Sequence, residues 1–137
     1  MKSILPALVM LATAGAASAA DLDQPSLAEL KWVARPIVVF ADAAADPRVA
    51  RQLQWFEDRI DELEERDVVI LVDTHPDEKT ALRERFHPRD FMVVLVGKDG
   101  EVKYRKPDPV TVREIIRLID RMPLRQQEIE AQRAGSG

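Results

Sequence analysis

The chain has 137 residues, 46% hydrophobic and 32% charged, with 24 acidic against 20 basic side chains and no cysteine. An acidic balance, with both signs mixed along the helical segments, argues against nucleic-acid binding, which would show a basic patch or stripe. The missing thiols exclude disulfide staples, so a hydrophobic core must carry stability alone, which one domain of this length can do.

Lys2, an apolar stretch from Ile4 to Ala14 and the small-residue triplet Ala17-Ser18-Ala19 read as a signal peptide over residues 1–19, cleaved near Ala19. The stretch is shorter than the roughly 20 apolar residues of a spanning helix, and no cysteine follows to carry a lipid. The expected location is periplasmic or secreted, with no membrane span in the mature chain. Pro36 to Ala41 is then a continuous apolar run, the pattern of a strand covered on both faces. Asp46-Pro47 supplies an N-cap and a first-turn proline, and Val49, Leu53, Phe56, Ile60 and Leu63 mark one helix ending near Arg66. Val68 to Val72 is a second strand. Thr74 with Asp77 resembles a capping box, followed by a narrow stripe of Ala81, Leu82 and Phe86. Phe91 to Val96 is a third strand, and Asp99-Gly100 divides it from Glu101–Arg105, an edge strand with one wet face. Asp108-Pro109 repeats the helix-start pattern before Val112, Ile115, Ile116 and Ile119, and Pro123 interrupts. Arg125 to Arg133 has the composition of a further polar helix, although residues 129–137 are assigned to a disordered C-terminal tail.

The order β-α-β-α-β-β-α predicts an α/β fold: a thioredoxin-like three-layer sandwich with a central mixed sheet, over residues 20–128. The first two strands are expected to be parallel through a right-handed crossover, and the hairpin excludes flavodoxin-like and receiver orders. Three segments carry a family resemblance: Trp32-Val33-Ala34-Arg35-Pro36, Gly97-Lys98-Asp99-Gly100 with Lys103, and Ile119 through Met122-Pro123-Leu124-Arg125-Gln126-Gln127-Glu128. Across residues 26–128 the chain resembles the DUDES family, a domain of unknown function in bacterial exported proteins and animal extracellular-matrix proteins. The resemblance implies a thioredoxin-like or peroxiredoxin-like fold, an extracytoplasmic location and no established activity.

Disulfide exchange needs a thiolate at the helix N-terminus after the first strand, where this chain reads Ala41-Asp42-Ala43-Ala44-Ala45-Asp46. The position of the thioredoxin cis-proline falls on Met92, and Pro88 lies four residues earlier. A thiol oxidoreductase or peroxidase is therefore excluded for the chain acting alone, and no cofactor is expected.

Ligands in open α/β sheets favour the carboxyl ends of parallel strands. Asp42 and Asp73 follow the first two strands, with His75 beyond, and His87 and Arg89 enter the third strand at the same edge. These five residues are the catalytic candidates, and Asp42, Asp73, His75 and His87 the metal candidates. The competing account has Asp73 and Thr74 capping a helix and the histidines as plain loop residues. Lys98, Lys103, Arg105 and Lys106 form a basic cluster on the hairpin, either an edge-strand guard or a contact for an acidic partner or anionic polymer. The resemblance places Arg125 and Glu128 in a docking segment, so Lys98, Lys103, Arg105, Arg125 and Glu128 are the partner-binding candidates. Trp32 and Trp55 are expected to pack on the sheet or under the N-terminal segment, with partner anchoring as the alternative. The expected function is an exported, non-catalytic binding or accessory domain whose partner is another protein or an extracytoplasmic polymer. Two alternatives stand beside it: a thiol-independent enzyme or metal/anion-binding protein using the Asp/His edge, and an oligomeric module pairing through the hairpin.

Overall fold

Six consecutive buried residues, Arg35–Phe40, form strand β1 at the centre of the sheet. The computed structural model describes residues 24–136, and the signal peptide expected at residues 1–19 lies outside them. Helix α1 (Leu27–Leu30) precedes β1; Ser26 and Glu29 close a reciprocal capping box over it. After β1 come α2 (Pro47–Asp58), α3 (Ile60–Glu65) and β2 (Val68–Asp73). Helix α4 (Ala81–Phe86), the strands β3 (Met92–Val96) and β4 (Val102–Lys106), α5 (Val112–Asp120) and α6 (Pro123–Ser136) complete the chain.

The sheet order is β2-β1-β3-β4. β1 runs parallel to β2 and antiparallel to β3, and β3 pairs antiparallel with β4. This is the mixed sheet anticipated from the hairpin. The amides of Arg35 and Ala41 donate to Asp67 and Asp73 on the β2 side. By alternation Pro36 turns its missing N–H toward β3, beyond the Ile37–Leu95 pair that ends that ladder. A proline is therefore tolerated inside a central strand.

Period-two alternation divides the core. Ile37 and Val39 of β1, with Val93 and Leu95 of β3, pack against Val49, Phe56, Leu63, Ile115 and Ile119 from α2, α3 and α5. Val38, Phe40, Val94 and Val96 face the other way, onto Leu30, Leu82 and Phe86 from α1 and α4. The three layers are helix, sheet, helix.

Several boundaries differ from expectation. The helix predicted from Asp46 to Arg66 breaks at Arg59, where φ −134 and ψ 37 leave the helical region, although its apolar stripe continues across the break. The cap of α4 is Thr80, not Thr74: the Thr80 hydroxyl accepts from the Arg83 amide and donates to Asp73. The cap of α5 is Thr111, not Asp108. Gln52, fully buried, explains the delay. Its carboxamide donates to the Val110 carbonyl at 2.8 Å and accepts from the Val110 amide at 2.7 Å, so both backbone groups of Val110 are taken before the helix starts. Pro123 opens α6 as its first residue, and the helix continues to Ser136 across the residues assigned to a tail. On the edge strand β4, Val102 is 39% exposed, and Tyr104 donates its hydroxyl to Glu114. That carboxylate pushes the phenol up to about 12.

Candidate functional site

At the carboxyl ends of β1 and β2 the candidate residues are engaged separately. Asp73, 1% exposed, accepts the Thr80 hydroxyl, the His75 amide and the Arg83 Nε–H. Burial raises its pKa, but these donors outweigh it and hold the carboxyl below the usual value. Arg83 also donates to the Ala41 and Asp73 carbonyls, tying the two strand ends together. His75 pairs with Glu78 at 3.4 Å. His87 ends α4 in the left-handed region (φ 49), its amide donating to the Arg83 carbonyl, and Pro88 after it cannot continue a helix. Asp42 and Arg89 are exposed in loops. Among the described residues no group of three or more His, Cys, Asp or Glu side chains could hold a metal. The candidate cluster of Asp42, Asp73, His75 and His87 does not converge: Asp73 braces a helix start, and His75 pairs with Glu78 within its own turn.

The opposite end of the sheet carries a denser arrangement. Arg35, 0% exposed, opens β1 and makes a fork with Glu128 of α6 at 3.0 and 3.1 Å, and Nη1 also donates to the Arg66 carbonyl. Lys98, from the β3–β4 loop, donates to Glu128 and to Asp67, both at 2.8 Å. Arg66 clamps Asp120 at the end of α5. Arg125 lies among Glu65, Asp120 and Glu128 at 3.5–3.6 Å. Burial raises the Glu128 pKa, but Arg35 and Lys98 more than compensate and lower it overall. The burial of Lys98 is likewise outweighed by Asp67 and Glu128, so its pKa is raised. The segment from Met122 to Glu128 therefore docks on its own domain. Arg125 is 3% exposed, placing its guanidinium in this clasp and not on a partner-facing surface.

The hairpin cations are also engaged. Lys103 pairs with Asp99 at 2.9 Å, Arg105 donates to the Phe86 carbonyl and Lys106 lies 3.8 Å from Glu114. Gly100 takes φ +84 in the turn, the conformation the Asp-Gly pair promised.

Next to the clasp, Trp32 and Val33 are 65% and 63% exposed, so the expectation that Trp32 packs on the sheet fails. The Trp32 backbone sits at φ 68, a conformation that costs a non-glycine residue about 1–3 kcal/mol. Its amide donates to the Lys98 carbonyl at 2.6 Å, which fixes the corner against the hairpin loop. Trp55 stays half-buried beside the α2 stripe. A groove of about 350 Å³ runs beside Trp32, with Met122, Pro123 and Leu124 in its lining. Sequence reasoning missed Arg35, Arg66, Asp67, Asp120 and Arg83; the one available signal was an arginine opening a run buried on both faces.

The family described as Domain of unknown function (DUF4174) matches residues 26–128, the span of the resemblance read from the sequence. No curated protein matches the chain. Among solved structures it is similar to a reduced 2-Cys peroxiredoxin of Plasmodium vivax, with 14% identity and TM-score 0.59 over 74% of this chain and 83% of that one. It is also similar to thioredoxin-2, a component of the malaria parasite protein secretion machinery, with 18% identity and TM-score 0.51 over 65% and 84%. These likenesses establish a thioredoxin-like fold, which this chain carries without a single cysteine. Among the described residues no helix is long and apolar enough to cross a membrane.

Proposed function

The chain belongs to the DUF4174 family, and we propose that it works as an exported, non-catalytic binding domain on a thioredoxin-like frame. The observation that carries this reading is the Trp32–Val33 corner, two large apolar side chains left in solvent at a fixed position. Scattered exposed apolar residues need no explanation. A tryptophan held at φ 68, hydrogen-bonded through its amide and bordering a groove, is a different case. Tryptophan is the side chain most enriched among interface residues that dominate binding energy, and strained backbone persists only where its surroundings over-determine it. The Arg35–Glu128–Lys98 clasp supplies that over-determination. It locks β1, the hairpin loop and α6 together around the groove, so a partner meets a surface that is already ordered.

A photo-crosslinking amino acid placed at position 32 in living cells tests the reading. The expected result is an adduct with one discrete protein, absent when the probe sits at exposed Asp61 on α3. Identical patterns from the two positions, or no adduct from either, would overturn it.

A further inference from the structure

The two edges of the sheet are built differently, and the difference is independent of the Trp32 corner. β4 carries Lys103, Arg105 and Lys106, the kind of charge with which an edge strand discourages pairing. β2, the opposite edge, reads Val68-Val69-Ile70-Leu71-Val72 before Asp73, with no charge, proline or bulge among the five. Alternation sends the backbone groups of Val69 and Leu71 toward β1, in step with the Asp67 and Asp73 carbonyls that accept from Arg35 and Ala41. Those of Val68, Ile70 and Val72 point away from the sheet.

That outward row is closed at both ends. Gln24 lays its carboxamide on Val72, accepting from the amide at 2.7 Å and donating to the carbonyl at 3.0 Å. At the other end the Arg66 amide donates to the Leu63 carbonyl, and the Arg66 carbonyl accepts from Arg35 at 2.9 Å. Between these stops lie Val68 and Ile70, whose outward amides and carbonyls meet no partner among the described residues. The surrounding side chains are apolar and incompletely covered on both faces, Val69 on the α1 and α4 side, Ile70 and Val72 on the other.

We propose that two copies of the chain pair through this window, β2 against β2, antiparallel about a two-fold axis at Val69. The stops choose the register. With Val69 opposite its own copy, each Val68 faces Ile70 of the second copy, and the interchain bonds use every outward group in both windows. Centring on Ile70 instead would set Val68 against Val72, whose groups Gln24 already holds. A second copy is favoured over a flexible peptide because both windows are already ordered, so the same bonds cost little chain entropy. The charged β4 edge is a poor mate for β2, so pairing closes as a dimer and does not run on into a filament. Two residues per copy make a small interface, and the dimer is weak and reversible.

Because the chain has no cysteine, one engineered thiol reports the register. Opposed Val69 residues form a non-hydrogen-bonded pair with Cα atoms about 4.5 Å apart, within disulfide reach. Val69→Cys is expected to oxidise to a covalent dimer about tenfold faster than Val102→Cys on the exposed β4 edge, because pairing raises the local thiol concentration. In sedimentation equilibrium the wild-type protein is expected to show a monomer–dimer equilibrium. Ile70→Pro, which deletes an outward amide at an edge position that tolerates proline, is expected to abolish it. Equal oxidation rates from the two positions overturn the proposal. So does a Val69→Cys protein of unchanged melting temperature that stays monomeric on oxidation, or a folded Ile70→Pro protein that still dimerises. A disulfide from Val69→Cys that forms only after residues 20–23 are deleted also overturns it, and gives the edge to the chain's own N-terminal segment.

Discussion

Trp32 separates what a residue does for the fold from what it does for a partner. Its ring contributes little packing: it is 65% exposed, and the Lys31 ammonium lies 5.9 Å from the ring centroid. Its backbone, at φ 68, is one that glycine adopts without steric cost. Replacing Trp32 by glycine is therefore expected to leave stability unchanged or raise it by up to about 1 kcal/mol. Removing a core aromatic would instead cost about 3–5 kcal/mol. Urea denaturation of Trp32→Gly, read beside crosslinking from neighbouring Val33, separates the two roles. A loss above about 2 kcal/mol would make the indole a packing residue. Gln52 is the contrasting case, since it satisfies both backbone groups of Val110 from inside the fold, and truncating it would strand each at about 1–3 kcal/mol.

At the scale of elements, α6 is attached by charge more than by apolar packing. Glu128 projects from it onto Arg35, whose side chain is 1% exposed, and onto Lys98. Because these cations lower its folded pKa below the ordinary 4.5, the folded state binds fewer protons than the unfolded chain as pH falls. The stability it contributes is complete above pH 4.5 and is lost as pH drops through the folded value. Asp73 and Asp120 are lowered in the same direction, so they add to acid sensitivity in that range. Thermal melts between pH 7 and pH 3 are expected to show this decline. Glu128→Gln is expected to lower stability by about 3–5 kcal/mol at neutral pH, because it leaves Arg35 buried without its carboxylate. The same substitution should flatten the acid-side slope. A variant as stable as wild type with the full slope would show that the clasp does not hold α6.

For the whole molecule, the thioredoxin-like frame is present and its best-known chemistry is absent. The loop after β1 carries Asp42 and alanines where a thiolate would sit, and the exchange mechanism requires a mixed disulfide that this chain cannot form. Purified protein is expected neither to accelerate insulin reduction by dithiothreitol nor to consume peroxide with a thiol donor. Turnover in preparations freed of thioredoxin would overturn that expectation. The proposed export implies a mature chain beginning at Ala20 or within a residue or two of it, which N-terminal sequencing of the native protein checks.

The sequence alone determined the order of the four strands and of the main helices between them, the two-faced burial of β1 and the hairpin. Each follows from local periodicity or from a turn dipeptide that reports its own backbone. It also determined the loss of thiol chemistry, because composition decides whether a nucleophile exists. It named the right residue types at the carboxyl ends of the strands, yet not their engagements, since Asp73 could be assigned to Thr80 and Arg83 only once α4 was placed. The tertiary structure alone decided the clasp. Arg35 and Glu128 are 93 positions apart, and Lys98 and Glu128 are 30 apart. In a chain that is 32% charged, no local pattern distinguishes an ion pair inside the fold from one in water. Burial is a property of which elements meet, so which charges were enclosed in the clasp and which tryptophan stayed outside was settled by packing.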